Sequence, residues 1–311
     1  MKAMLCRAWG APDVLRLEDV PPRALRSGEV RIRVRASGVN FADSLMVSGT
    51  YQVKPPFPFT PGLEAAGEVI ETGSGVTGLR TGQRVLAVLR NGGSYAEEIV
   101  LDAATVVPIP ETMDFVTAAA FPVAYGTSHF ALTHRGRLQS GETLLVLGAA
   151  GGVGLTAVEI GKVLGARVIA AAGDADKLAV AKSRGADELI DYRSESIRDR
   201  VRELTGGNGA DVVYDPVGGD AFDQALRAVN WEARMLVIGF ASGRIQAVPA
   251  NLILVKNISV IGVIWGALAE PSCCRCPIFL SSSPCRGRSP TSPITTNRSS
   301  MTCCSKPPPK P

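Results

Sequence analysis

Thr143-Leu-Leu-Val-Leu-Gly148-Ala-Ala-Gly151-Gly152-Val-Gly154, running on into Leu155-Thr-Ala-Val-Glu-Ile160, decides the fold class. An apolar run stops at a cluster of glycines, and the glycines lead straight into a helical pattern. Such a stretch reads as a buried strand, a tight turn and a helix start, the arrangement that seats a pyrophosphate on a positive helix N-terminus. Gly148 serves the turn, Gly151 lets the backbone approach a phosphate, and Gly154 lets the helix pack closely on the strand. Three glycines at this spacing also occur by chance, in ordinary strand–helix turns. The surroundings favour the nucleotide reading: a helix to Leu164, Gly165 as its stop, then a second apolar strand from Arg167 to Ala172. Ala150, Gly151, Gly152 and Val153 are the expected pyrophosphate contacts, through their backbone N–H groups.

The end of that second strand selects the dinucleotide. An acidic residue there would bond a ribose 2′-hydroxyl. The chain reads Ala170-Ala171-Ala172-Gly173-Asp174-Ala175-Asp176-Lys177. Small residues leave room for a 2′-phosphate, and Lys177 places a positive charge one turn further on. Asp174 could reach a ribose, but its expected role is N-cap of a helix from Ala175 to about Arg184. The sequence therefore predicts NADPH over NADH.

Working outward, the rhythm from about Tyr125 onward alternates helices and strands. Glu188–Tyr192, Asp211–Tyr214, Arg234–Phe240 and Ile258–Ile264 are the further strand candidates, with helices over Glu195–Leu204 and Ala221–Val229. Six strands in this rhythm make a doubly wound parallel sheet. Residues 1–125 are strand-rich instead: Val30-Arg-Ile-Arg-Val-Arg35 alternates apolar and charged side chains. Glu64–Glu71 and Arg84–Leu89 are further short strands. Pro55, Pro56, Pro58 and Pro61 mark a loop.

Beyond Gly266 the composition changes. Nine of the 21 prolines and six of the seven cysteines fall there, with no hydrophobic period, so 267–311 is expected to lack order. Six of the 33 Lys/Arg and one of the 29 acids also lie there, leaving 27 against 28, a near-neutral body. No basic stripe remains to suggest nucleic acid. No apolar run has bilayer length and no signal pattern opens the chain, so a cytoplasmic protein without a membrane partner is expected. The tail cysteines lack paired CxxC spacing and a nearby histidine, which argues against a metal site there.

Several further motifs carry a resemblance: Ala36-Ser-Gly-Val-Asn40-Phe-Ala-Asp43, Pro58-Phe-Thr-Pro-Gly62-Leu-Glu-Ala-Ala-Gly67, Tyr214-Asp-Pro-Val-Gly-Gly219 and Val237-Ile-Gly-Phe-Ala-Ser-Gly-Arg244. With the glycine turn, they make residues 1–266 resemble the zinc-independent medium-chain reductases, specifically NADPH:quinone oxidoreductases of the zeta-crystallin type. The resemblance implies an α/β protein: a GroES-like β-barrel catalytic domain at 1–125, a Rossmann NADPH-binding domain at 126–266, and an active site in the cleft between them. It places Asn40, Asp43 and Tyr51 near the nicotinamide. Asn40 and Tyr51 would donate hydrogen bonds to the acceptor oxygen or the carboxamide. The alternative is that Asn40 stabilises its own turn and Tyr51 packs on the proline loop. The resemblance also assigns Gly173, Lys177 and Tyr192 to the adenosine 2′-phosphate, puts Thr127, Phe240 and Ala241 toward the nicotinamide, and makes a homodimer plausible. Members of this family return to the catalytic domain after the sixth strand. Here 267–311 departs from that pattern and resembles a frame-shifted tail.

Zinc-dependent alcohol dehydrogenases of the same superfamily carry a Cys where this chain has Asn40 and a His where it has Leu63, and neither replacement ligates zinc. His129 and His134, the only histidines, have no cysteine partner and read as surface or helix-end residues. Without a Lewis acid, an electron-poor acceptor such as a quinone or enone suits the site. Two other readings stay open: an enoyl-thioester reductase, with Tyr51 as acid, and a non-catalytic dinucleotide-binding protein.

Overall fold

The first 110 residues convert alternating side chains into sheet faces. The computed structural model describes residues 1–266; the segment 267–311, expected to lack order, lies outside the described residues. β1 (Lys2–Leu5) and β2 (Arg16–Asp19) pair antiparallel. β3 (Glu29–Ser37), α1 (Phe41–Val47), β4 (Glu64–Thr72), β5 (Arg84–Val88), β6 (Glu98–Asp102) and β7 (Val106–Pro108) follow. Their strands form the antiparallel sheet of the barrel-like domain, in the order β6-β3-β4-β5-β7. Val30 and Ile32 of β3 point inward with Ala65, Val69, Val85 and Ile99, while Arg31 reaches across to Glu71 at 2.9 Å. Burying each large aliphatic side chain stabilises by about 1.5–3 kcal/mol, and an exposed pair like Arg31–Glu71 by under about 1 kcal/mol. The inner face therefore sets the register.

α2 (Phe115–His129) carries the chain from this sheet to the next and continues as a π-helical stretch, Phe130–Arg135. Position 125, where the rhythm of the sequence changes, falls inside it. The first half packs Ala118 and Ala119 against Ala66 and Leu86. The continuation packs Ala131 and Leu132 under the second sheet. One helix thus belongs to both layers.

That second sheet is built by β8 (Thr143–Leu147), α3 (Gly152–Val163), β9 (Arg167–Ala172), α4 (Ala175–Ser183), β10 (Glu188–Asp191), α5 (Ile197–Leu204), β11 (Ala210–Asp215), α6 (Gly219–Ala225), β12 (Val229–Val237), α7 (Ala250–Lys256) and β13 (Ser259–Gly262). All six strands run parallel, in the order β10-β9-β8-β11-β12-β13. Ala157, Val158 and Ala181 of α3 and α4 cover one face. Ile197, Val201, Phe222, Leu252 and Ile253 of α5, α6 and α7 cover the other. The order reverses between β8 and β11, the point at which sheets of this kind form a crevice at the C-terminal strand ends.

β12 departs from expectation by starting at Val229 and stopping at Val237. Ala210 pairs with Val229 before an irregularity in the ladder, and Glu232 has φ 57, so the early residues lack a clean alternation. Ile238 and Gly239 then turn their N–H groups to the Asp215 carbonyl, which ends the strand ahead of Phe240.

Candidate active site

The crevice is lined first by the turn after β8. Gly148 sits at φ +58, a left-handed conformation that costs glycine nothing, and its carbonyl accepts the Gly151 N–H at 3.0 Å. α3 begins at Gly152 with Gly151 as N-cap and no capping side chain. A Cβ on Gly154 would lie 2.2 Å from the Gly148 carbonyl oxygen, so only glycine lets the helix sit this close to the strand end. A Cβ on Gly152 would meet nothing within 4 Å. Gly152 therefore faces open space at an uncapped helix start, which suits a pyrophosphate.

At the end of β9, Gly173 is buried, and a Cβ there would lie 3.1–3.3 Å from the Tyr192 ring. Asp174 is the N-cap of α4: it accepts the Lys177 N–H at 2.9 Å, and its other oxygen lies 2.8 Å from the Lys177 ammonium. The bond to the Lys177 side chain holds the Asp174 carboxyl below its usual range. Both of its oxygens are thus engaged with its own helix. The structure brings Gly173 and Tyr192 together at the end of β9, with Lys177 paired to Asp174 on the turn that follows.

Nearer the reversal point, Asp215 ends β11. It is fully buried; Oδ1 accepts the N–H groups of Val217 and Gly218 at 2.9 and 2.8 Å, and Oδ2 has no partner among the described residues. Burial pushes its carboxyl up to about 6, against the pull of those two N–H groups. Phe240 and Ala241 lie on the loop beyond β12, where the Ala241 N–H reaches the Pro216 carbonyl at 3.0 Å. Below, Ser128 Oγ lies 2.8 Å from both the Tyr214 hydroxyl and Thr156 Oγ1, and it donates to the Val153 carbonyl at 2.9 Å. Thr127 is the neighbouring residue on α2. This buried hydroxyl cluster fastens α2 and β11 to the first turn of α3.

On the barrel side, Asn40 caps α1, its N–H donating to Asp43 Oδ2 at 2.8 Å. The Asn40 side-chain amide donates to Glu64 Oε1 at 2.7 Å, and Glu64 Oε2 accepts the Val123 N–H at 2.8 Å. Asp43 also accepts the Tyr95 hydroxyl at 2.9 Å. Asp43 and Glu64 are 4% and 2% exposed, so both brace their neighbours from within. Burial raises both carboxyls, against the hydrogen bonds they accept. Tyr51 is half-buried and packs in the cluster of Phe59, Met46 and Val123, on the loop of prolines, and burial raises its phenol. Glu64, Tyr95, Asp215 and Tyr214 were not singled out as site residues from sequence. Only the unusual acid inside Gly62-Leu-Glu-Ala-Ala-Gly67 could have flagged the first.

Two family profiles match: residues 26–111 fit the alcohol dehydrogenase GroES-like domain, and residues 152–276 fit the zinc-binding dehydrogenase profile. A quinone oxidoreductase-like protein 2 homolog of Nematostella vectensis is 45% identical over 267 residues, 86% of this chain and 73% of that relative. The chain belongs to the medium-chain dehydrogenase/reductase family, among its quinone oxidoreductase-like members. A Pseudomonas syringae quinone oxidoreductase superposes with a TM-score of 0.82 at 34% identity, covering 86% of this chain and 82% of that one. The Escherichia coli quinone oxidoreductase, solved in complex with NADPH, gives 0.82 at 31% identity with the same coverage.

The zinc in one profile's description does not fit the residues present. Leu63 is a buried core side chain, and the Asn40 amide is committed to Glu64. Among the described residues no three His, Cys, Asp or Glu side chains converge, and His129 and His134 are exposed. No described helix is long and apolar enough to cross a membrane.

Proposed function

We propose that this protein reduces a quinone, or a similarly conjugated carbonyl, with NADPH. The commitment of Asp174 to its own helix carries the cofactor choice, because it takes up the acid that directly follows Gly173, at the end of β9 beside Tyr192. Ala150–Val153 would hold the pyrophosphate by backbone N–H groups, and Lys177 would exchange Asp174 for the 2′-phosphate. When bound, the cofactor supplies the hydride. Asn40 orients the acceptor with its amide, Tyr51 offers a hydroxyl beside it, and Thr127 with the loop of Phe240 and Ala241 closes the nicotinamide end. Solvent delivers the single proton that completes a hydroquinone. An acceptor whose product is aromatic needs orientation more than a strong acid, and hydrogen-bonding groups such as the Asn40 amide suit that need.

Steady-state oxidation of NADPH and NADH by a small quinone tests the reading, with crotonyl-CoA as the competing acceptor. Higher kcat/KM for the quinone, and for NADPH over NADH, is the expected result. Preference for the thioester would transfer the site to enoyl reduction.

A further inference from the structure

We propose that Glu64 is a positioning residue that holds the Asn40 amide in register with the dinucleotide helix α3; this rests on the reading of Asn40 given above. Glu64 lies on β4 and is 2% exposed, yet it meets no cation within the barrel sheet. Its two oxygens divide their work. Oε1 takes the Asn40 side-chain N–H at 2.7 Å, and Oε2 takes the backbone N–H of Val123 at 2.8 Å. Val123 directly follows Pro122, whose ring interrupts the interior of α2. The carboxylate therefore clamps the helix at its proline.

From that clamp the polar path continues without a gap. The neighbouring Ala124 carbonyl accepts Thr156 Oγ1 of α3 at 3.1 Å, and Ser128 on the same helix bonds the Val153 carbonyl in the first turn of α3. Asn40 is thus referenced, through one carboxylate and one helix, to the turn proposed to seat the pyrophosphate. A buried carboxylate with both oxygens bonded holds its partners more firmly than an amide could, since an amide has only one accepting oxygen. Misplacing a substrate-orienting group by about 1 Å costs about 100-fold in rate.

Two substitutions perturb the clamp separately. Glu64→Gln keeps the shape but loses one acceptor. Gly38→Ala touches neither partner, yet its Cβ would lie 2.2 Å from Glu64 Oε1, the oxygen that holds Asn40. Both are expected to lower kcat with the small quinone about 10- to 100-fold and to lower the thermal midpoint modestly, through the overlap or the mispaired buried donor each introduces, while NADPH affinity, followed by fluorescence titration, stays near wild type. In an Asn40→Ala background, Glu64→Gln should have no further effect on kcat. Independent, multiplying effects of Asn40→Ala and Glu64→Gln would overturn the positioning role while leaving Asn40 in the mechanism. An unchanged kcat in Asn40→Ala alone would instead remove the reading on which it rests. Loss of NADPH affinity in step with kcat would also overturn it, as would collapse of Glu64→Gln alongside a fully active Gly38→Ala.

Discussion

Asp215 stores a pH-dependent cost at the reversal point of the parallel sheet, and replacing it with asparagine should release that cost. The carboxylate is fully buried, with one oxygen bonded to two backbone N–H groups and the other without a partner among the described residues. Its pKa lies at about 6, against an ordinary 3.8. The folded protein thus holds this proton more tightly than the unfolded chain does. Stability from Asp215 is fully present below pH 3.8, falls as pH rises, and is lost once pH passes about 6. At 1.36 kcal/mol for each pKa unit, the ionised form costs about 3 kcal/mol at pH 7.5. Asp215→Asn keeps the accepting oxygen and carries no charge, but it leaves an N–H donor where the second oxygen was, at a cost of about 1 kcal/mol. The net expectation is a gain of about 2 kcal/mol at pH 7.5, seen as a higher urea midpoint, shrinking to nothing or reversing by pH 4. Urea melts of both proteins at the two pH values measure the difference. A variant destabilised at pH 7.5, or a difference independent of pH, would refute the reasoning.

Two other substitutions probe the nucleotide side. Lys177→Ala should weaken NADPH by about 1–2 kcal/mol, at the low end for a charged contact because Lys177 is exposed and already paired with Asp174, and leave NADH nearly unchanged in a calorimetric titration. Gly154→Ala places a Cβ against the backbone of the preceding turn, which has no flexible atom to yield, so loss of NADPH binding with destabilisation of about 2–3 kcal/mol is expected by calorimetry and thermal melt.

The β8–α3–β9 unit was legible almost to the residue, because a buried parallel strand, a left-handed glycine and a helix stop each leave a local mark in the sequence. Arg167–Ala172 and the N-cap at Asp174 stand where they were read. The start of β12 was not legible, since exposed Trp231 and Glu232 break the alternation that signals a strand. On the barrel side the resemblance could name Asn40 and Tyr51, but not their company. The acid inside Gly62-Leu-Glu-Ala-Ala-Gly67 is unusual, but the sequence does not say what it faces. Only the fold brings Glu64 to a backbone N–H beside Pro122, far along the chain. Tyr214 was hidden in the same way: its hydroxyl looks incongruous in a core strand until Ser128 and Thr156 arrive from two helices.

A proline within a long helix is normally where it bends. In α2 that joint has its pin inserted, since flexing at Val123 would strip a charged hydrogen bond worth about 1.5–3 kcal/mol from an interior carboxylate. At room temperature roughly one molecule in ten or fewer would be flexed there. Any opening and shutting of the space between the two sheets is then biased to pivot at some other point of the chain, with α2 held straight between them.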